Sequence, residues 1–143
     1  MTRTLLIAFG LCILSGFPLA GEDAHKPINL PPAFKGTVDF AKQIRPILEQ
    51  SCFKCHGPEK QKSGLRLDAK RAALLGGDHG PLFVSGKPAE SEIIKRIAAT
   101  DDDEIMPPKG NPLTKEQISI FVAWIEQGAT WPDDGIDVRT KSD

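Results

Sequence analysis

The chain contains the run Cys52-Phe53-Lys54-Cys55-His56, whose C-x-x-C-H spacing is the one that attaches a c-type haem covalently. If these residues form one helical turn, Cys52, Cys55 and His56 are three and four positions apart and project from one side. Two thiolates can then add to the two vinyl groups of one porphyrin, while the adjacent imidazole reaches the iron. The run predicts one haem c, attached through Cys52 and Cys55, with His56 as an axial ligand.

Three other interpretations of this run stay open. A redox-active dithiol also uses a C-x-x-C pair, but it requires a strand-helix-strand context, and no alternating apolar run precedes Cys52. A structural zinc site needs four ligands, and the sequence adds only His25, His79 and carboxylates to the run. A disulfide between the two cysteines suits an oxidising compartment but gives His56 no role. Haem attachment uses all three residues and needs no fourth protein ligand of the kind that a zinc site requires, so it is the interpretation that we adopt.

The N-terminal stretch has the composition of a secretory signal peptide. Arg3 precedes an apolar run from Leu5 to Phe17, which is too short to span a bilayer, and the stretch closes on Ala20. We expect residues 1–20 to be cleaved and the rest to be exported, to the periplasm or beyond, without stable membrane insertion afterwards. An uncleaved membrane anchor is the alternative.

The charge of the chain argues against two kinds of partner. The formal net charge is -1 at pH 7, and losing Arg3 with the signal lowers it by one, to about -2. This balance predicts neither nucleic-acid binding nor a strong attraction to membrane surfaces. We expect a monomer whose partners are redox proteins.

Apolar residues recur at helical spacing, and no stretch alternates like a strand. We predict a Pro-rich linker at residues 21–36, an all-α domain at 37–132 wrapped around one covalent haem, and a polar tail at 133–143. The expected helices are one from Thr37 that Pro46 interrupts, one from Asp68 to Leu75 that stops at Gly76, one opened by Pro88, and one from the Thr114–Gln117 capping box to Gly128. Their expected buried residues are Phe40, Ile44, Ile47, Leu48, Ile93, Ile94, Ile97, Ile118, Phe121, Val122 and Ile125.

Met106 precedes two prolines in a loop between the last two predicted helices. Pro107 and Pro108 cannot continue a helix, so the thioether lies on a stiff, extended segment. A thioether is a soft ligand, and electron-carrying c-type cytochromes use His/Met ligation. We predict Met106 as the second axial ligand. Core packing is the alternative for Met106, and His79 is the other candidate ligand.

Several stretches together resemble the planctomycete-type cytochrome c domain, a variant of the class I cytochrome c fold. The resemblance runs from Val38 to Pro132. It rests on Ile44-Arg45-Pro46-Ile47-Leu48, Cys52 to Pro58, Gly64-Leu65-Arg66-Leu67-Asp68, Gly76-Gly77, Met106-Pro107-Pro108-Lys109, and Trp124-Ile125 through Gly128-Ala129 to Trp131-Pro132. It implies thioether bonds at Cys52 and Cys55, His56 as proximal ligand and Met106 as distal ligand.

The predicted function is single-electron transfer without enzymatic activity. An iron with both axial positions filled has no open position for a substrate. One alternative is a haem sensor in which a gas displaces Met106. Another is a detached electron-transfer module of a larger exported enzyme, because domains of this family commonly open longer proteins.

Three further features have two interpretations each. Arg66 is expected to pair with a haem propionate, an exposed cation being the alternative. The acidic run from Asp101 to Glu104 is expected to be a solvated loop, with a docking patch as the alternative. Trp124 and Trp131 line the haem crevice or pack in the core.

Overall fold

Five α-helices and three helical turns of other types lie within residues 28–136, the part of the chain that the computed structural model describes. The α-helices are α1 (Arg45–Ser51), α2 (Phe53–His56), α3 (Lys70–Leu75), α4 (Glu92–Ile97) and α5 (Lys115–Glu126). A π-helical turn spans Phe40–Ile44, and 3₁₀ turns span Lys62–Gly64 and Pro88–Glu90. Within these bounds there is no strand, only two isolated bridges. The all-α prediction is confirmed.

Some predictions concern residues beyond this part of the chain. The signal peptide at residues 1–20, His25 and residues 137–143 of the tail lie outside the described residues. Across residues 28–136, no helix has both the length and the apolar character needed to cross a membrane.

The first predicted helix forms in two parts and begins later than expected. Asp39, not Thr37, is its N-cap, because Oδ1 of Asp39 accepts a hydrogen bond from the amide of Lys42 at 3.1 Å. The π-helical turn follows, and α1 starts at Arg45 with Pro46 in its first turn. Proline lacks an amide hydrogen and fits only where a helix begins. The interruption predicted at Pro46 is confirmed as this change of helix type.

The helix α3 is present, but its predicted cap is wrong. Asp68 does not bond to the helix, because both of its carboxylate oxygens accept from Arg66. Instead, Asp134 of the predicted tail accepts from the amide of Lys70, the first residue of α3. Burial opposes ionisation of Asp134, but hydrogen bonds from the Lys70 and Ile136 amides outweigh it and lower its pKa. A residue far along the chain thus caps this helix.

The last two helices match their predicted buried faces. Pro88 opens a 3₁₀ turn rather than α4 itself, which begins at Glu92. The Thr114–Gln117 capping box is present at the start of α5, and Gly128 follows its end. All eleven residues predicted to be buried are buried, so the 3.6-residue period identified the core correctly.

Aromatic side chains form the centre of the core. The indole of Trp124 is 2 % exposed and packs edge-on to Phe121 and Phe83, with ring centroids 6.2 and 5.1 Å apart. Its Nε1 donates to the carbonyl of Thr130 at 2.9 Å, which satisfies the buried N–H. Trp131 is also buried and stacks near Phe40. Both tryptophans pack in the core.

Part of the predicted linker contacts the helical domain. Leu30 and Ala33 pack against the core, and the amide of Phe34 donates to the carbonyl of Ser119 on α5 at 3.1 Å. In the described residues, the chain therefore reaches the domain before Thr37.

Replacing Ser91 with alanine should destabilise the fold, since Ser91 is fully buried and holds a loop against α4. Its Oγ accepts from the amide of Val84 at 2.8 Å and donates to the carbonyl of Lys87 at 2.9 Å. Leaving these groups without a partner should cost about 1–3 kcal/mol, measured as a lower free energy of unfolding in urea. Ser85→Ala is the control, because Ser85 is exposed and should cost less than about 0.5 kcal/mol. Equal losses in the two variants would contradict this account.

Candidate haem-binding site

A partly open cavity of about 160 Å³ brings together residues that are far apart in the sequence. Cys52 and His56 line it from the C-x-x-C-H run, and Met106 lines it from the loop after α4. Five aliphatic side chains supply much of the remaining apolar wall, and they are those of Leu65, Leu67, Leu82, Ile93 and Ile97. Sulfur and nitrogen atoms that could ligate a metal thus lie on the wall of a largely apolar cavity.

The C-x-x-C-H run forms the helical turn that the spacing predicted. The amide of Cys52 donates to the carbonyl of Leu48 at 2.8 Å, and this hydrogen bond ends α1 directly before the next turn. The amide of His56 then donates to the carbonyl of Cys52 at 2.9 Å. This turn places Cys52 and His56 on the cavity wall, whereas Cys55 is not among the lining residues. Both cysteines are free thiols.

Gly57 allows the chain to turn sharply after His56. A Cβ at this position would lie 2.4 Å from the carbonyl oxygen of Phe53, which is too close for any side chain. The chain then folds back, and the amide of Leu67 donates to the carbonyl of His56 at 2.7 Å. This contact brings the aliphatic residues of the 65–67 segment to the wall beside the imidazole.

Burial favours the uncharged forms of Cys52 and His56. It raises the pKa of the Cys52 thiol to about 11 and lowers the pKa of His56 below its ordinary value. Nδ1 of His56 is buried and has no hydrogen-bond partner, which is costly for a polar atom. A neutral imidazole with an unsatisfied nitrogen, next to two sulfur-bearing residues, matches the donor set of a His/Met-ligated haem.

A backbone hydrogen bond attaches the Met106 loop to α4. The amide of Met106 donates to the carbonyl of Arg96 at 2.9 Å, near the end of the helix. The acidic run before it is an exposed turn, in which the amide of Ile105 donates to the carbonyl of Asp101 at 2.9 Å. The loop is therefore attached to α4 directly after the acidic run.

Of the two remaining candidate residues, Arg66 lies off the cavity wall and His79 lies on it. Nε and Nη2 of Arg66 donate to the two carboxylate oxygens of Asp68, each at 2.8 Å, and Arg66 is not a lining residue. His79 does line the cavity and remains a candidate ligand beside Met106.

Sequence reasoning missed the charged pair on the cavity wall. Glu92 and Arg96 line the cavity together with Ile93 and Ile97. Their spacing repeats the period of a helix face, so the pattern contained a signal for them. It could not show that part of this face borders a cavity rather than solvent.

The segment that forms the cavity matches a known protein family. Residues 52–110 match the model of the planctomycete cytochrome C family. This match confirms, over residues 52–110, the resemblance found in the sequence. The match includes the C-x-x-C-H run and Met106, and it indicates haem c as cofactor and haem-based electron transfer as function. Comparisons with curated proteins and with solved structures gave no match.

Proposed function

We propose that the chain is an exported mono-haem c-type cytochrome that transfers single electrons to or from redox proteins. Cys52 and Cys55 attach the haem, and His56 and Met106 ligate its iron. The supporting observation is that His56 and Met106, from the two ends of the family match, line one cavity with Cys52. Export and a monomeric state belong to the same proposal.

The residues of the cavity suit this role. His56 is buried enough to favour its neutral form, in which a ring nitrogen has a free lone pair for a metal. Met106 is held in place through its backbone amide, and its thioether is a soft donor. When bound, a haem supplies a one-electron redox couple. With both axial positions taken, the chain leaves no position for a substrate, which favours electron exchange over catalysis.

Covalent attachment is the first test. The chain should be produced with its own N-terminus in a bacterial host that has haem-attachment machinery, and the periplasmic fraction purified. We expect a haem that stays with the protein through acid-acetone extraction. Release of the cofactor into the organic layer, or zinc in its place, would disprove the proposal.

Carbon monoxide separates the electron carrier from the haem sensor. A reduced iron held by both His56 and Met106 should not bind carbon monoxide at neutral pH. Rapid formation of a carbon monoxide complex would instead support the sensor. The spectrum of the reduced protein before and after the gas is added decides between them.

A further inference from the structure

The side chain of Arg96 lines the cavity, and within residues 28–136 only its Nε makes a hydrogen bond. It lies four positions after Glu92 on α4, so the two side chains lie on the same face of the helix. Nε of Arg96 donates to Oε1 of Glu92 at 2.7 Å, and both residues line the cavity. Within residues 28–136, the two terminal Nη groups of Arg96 have no hydrogen-bond acceptor. They remain available to a ligand.

Arg66 offers a direct comparison. Its guanidinium makes two parallel hydrogen bonds to Asp68 at 2.8 Å, the bidentate arrangement that a carboxylate satisfies best. It is therefore already occupied by a carboxylate of the protein itself. Arg96 differs from Arg66 in two ways. It lines the cavity, and its two Nη groups have no hydrogen-bond acceptor within residues 28–136.

We propose that Arg96 binds a carboxylate group of the haem, while Glu92 holds the guanidinium in position. This inference rests on the proposed function, since it concerns the haem that the cavity would hold. A haem carries two propionates, and a planar guanidinium is the side chain best matched to a carboxylate. Among the described residues that line the cavity, Arg96 is the one with a permanent positive charge. About a third of the Arg96 side chain is exposed, so water would only partly screen its attraction to a propionate.

The same residue also touches the Met106 loop, but through its main chain. The carbonyl of Arg96 accepts from the amide of Met106, and a side-chain substitution leaves that carbonyl in place. Substituting Arg96 should therefore change the charge near the haem without removing the axial ligand. This separation makes the two roles distinguishable by experiment.

Arg96→Gln tests the proposal in the holoprotein. A nearby cation favours the reduced iron, so its loss should lower the equilibrium constant for reduction about tenfold, or about 59 mV in midpoint potential. The propionate bending vibration in the resonance Raman spectrum should shift, because glutamine has neither the positive charge nor the planar fork of N–H groups that the guanidinium offers. The far-red absorption band of the iron-thioether bond should stay. Lys95→Gln is the matched control, because it removes one positive charge from the next position on α4 outside the cavity lining, and it should leave the propionate vibration unchanged.

The results that would overturn the role of Arg96 can be told apart from one another. An unchanged propionate vibration in Arg96→Gln, or the same shift in Lys95→Gln, overturns the proposal. Loss of the far-red band would mean that Arg96 only shapes the Met106 loop, which also overturns it. If Arg96→Gln does not accumulate, Arg96→Lys decides: it keeps the charge but not the planar fork, so an unchanged vibration overturns the proposal and a shifted one supports it. Absence of covalent haem in the unmodified protein is a different result, because it disproves the proposed function itself.

Discussion

Changing both Cys52 and Cys55 to serine should yield an exported chain without covalently bound haem. A serine hydroxyl does not ionise as a thiol does and cannot replace it in the addition to a vinyl group. The effect should be complete, with no haem-dependent peroxidase stain on a denaturing gel, where the unmodified protein stains strongly.

The same variant should also lose part of its folded structure. The cavity is bordered by buried residues of α4 and by the 65–67 segment, and a haem would cover apolar surface that the side chains leave exposed. We expect faster digestion by a protease and a lower helical signal in circular dichroism. Cys12→Ser is the control, because Cys12 lies in the predicted signal peptide and should not affect haem content. Haem that remains covalently bound in the double variant would disprove the assignment of the run.

Changing the thioether of Met106 should alter the iron more than any other single substitution that keeps the haem attached. A thioether donates less electron density to ferric iron than an imidazole does, so His/Met ligation favours the reduced state. Met106→His should therefore lower the midpoint potential by more than about 100 mV, a modest part of the range that axial ligands cover. Met106→Ala should leave the iron open to water or carbon monoxide. Potentiometric titration followed by absorbance measures the first effect, and carbon monoxide binding measures the second.

Both Met106 variants should keep their covalent haem and lose the far-red band. His56, Cys52 and Cys55 are unchanged in them, so attachment does not depend on the substitution. His79→Ala is the matched comparison, because His79 lines the same cavity and carries the other candidate donor. Should the unmodified protein lack the far-red band, and should His79→Ala rather than Met106→Ala change the potential, the distal ligand would be His79 instead.

Where the prediction depended on the regular spacing within a helix, the structure agrees with it. The capping box at Thr114 and Gln117 joins residues three positions apart, and the turn from Cys52 to His56 joins residues four apart. Contacts at this range follow from helix geometry alone. The buried stripe of α5 is correct for the same reason, because one face of a regular helix recurs every 3.6 residues.

The predicted ends of helices were less reliable where several polar residues compete. Thr37 and Asp39 are both good N-caps, and the chain uses Asp39. Asp68 precedes α3 at a suitable distance, yet its carboxylate bonds to Arg66, and Asp134 takes its place at the amide of Lys70. A cap from so far along the chain has no local signal.

The sequence by itself determined the helical pattern, the covalent chemistry available to Cys52 and Cys55, and the family match over residues 52–110. These follow from residue types and short spacings. Only the tertiary structure decided that Met106 shares a cavity with His56, and that Arg96 rather than Arg66 lies on its wall. The physical reason is that a cavity wall is assembled from segments whose relative positions depend on the packing of the whole core, and the spacing of residues along one segment does not contain that information.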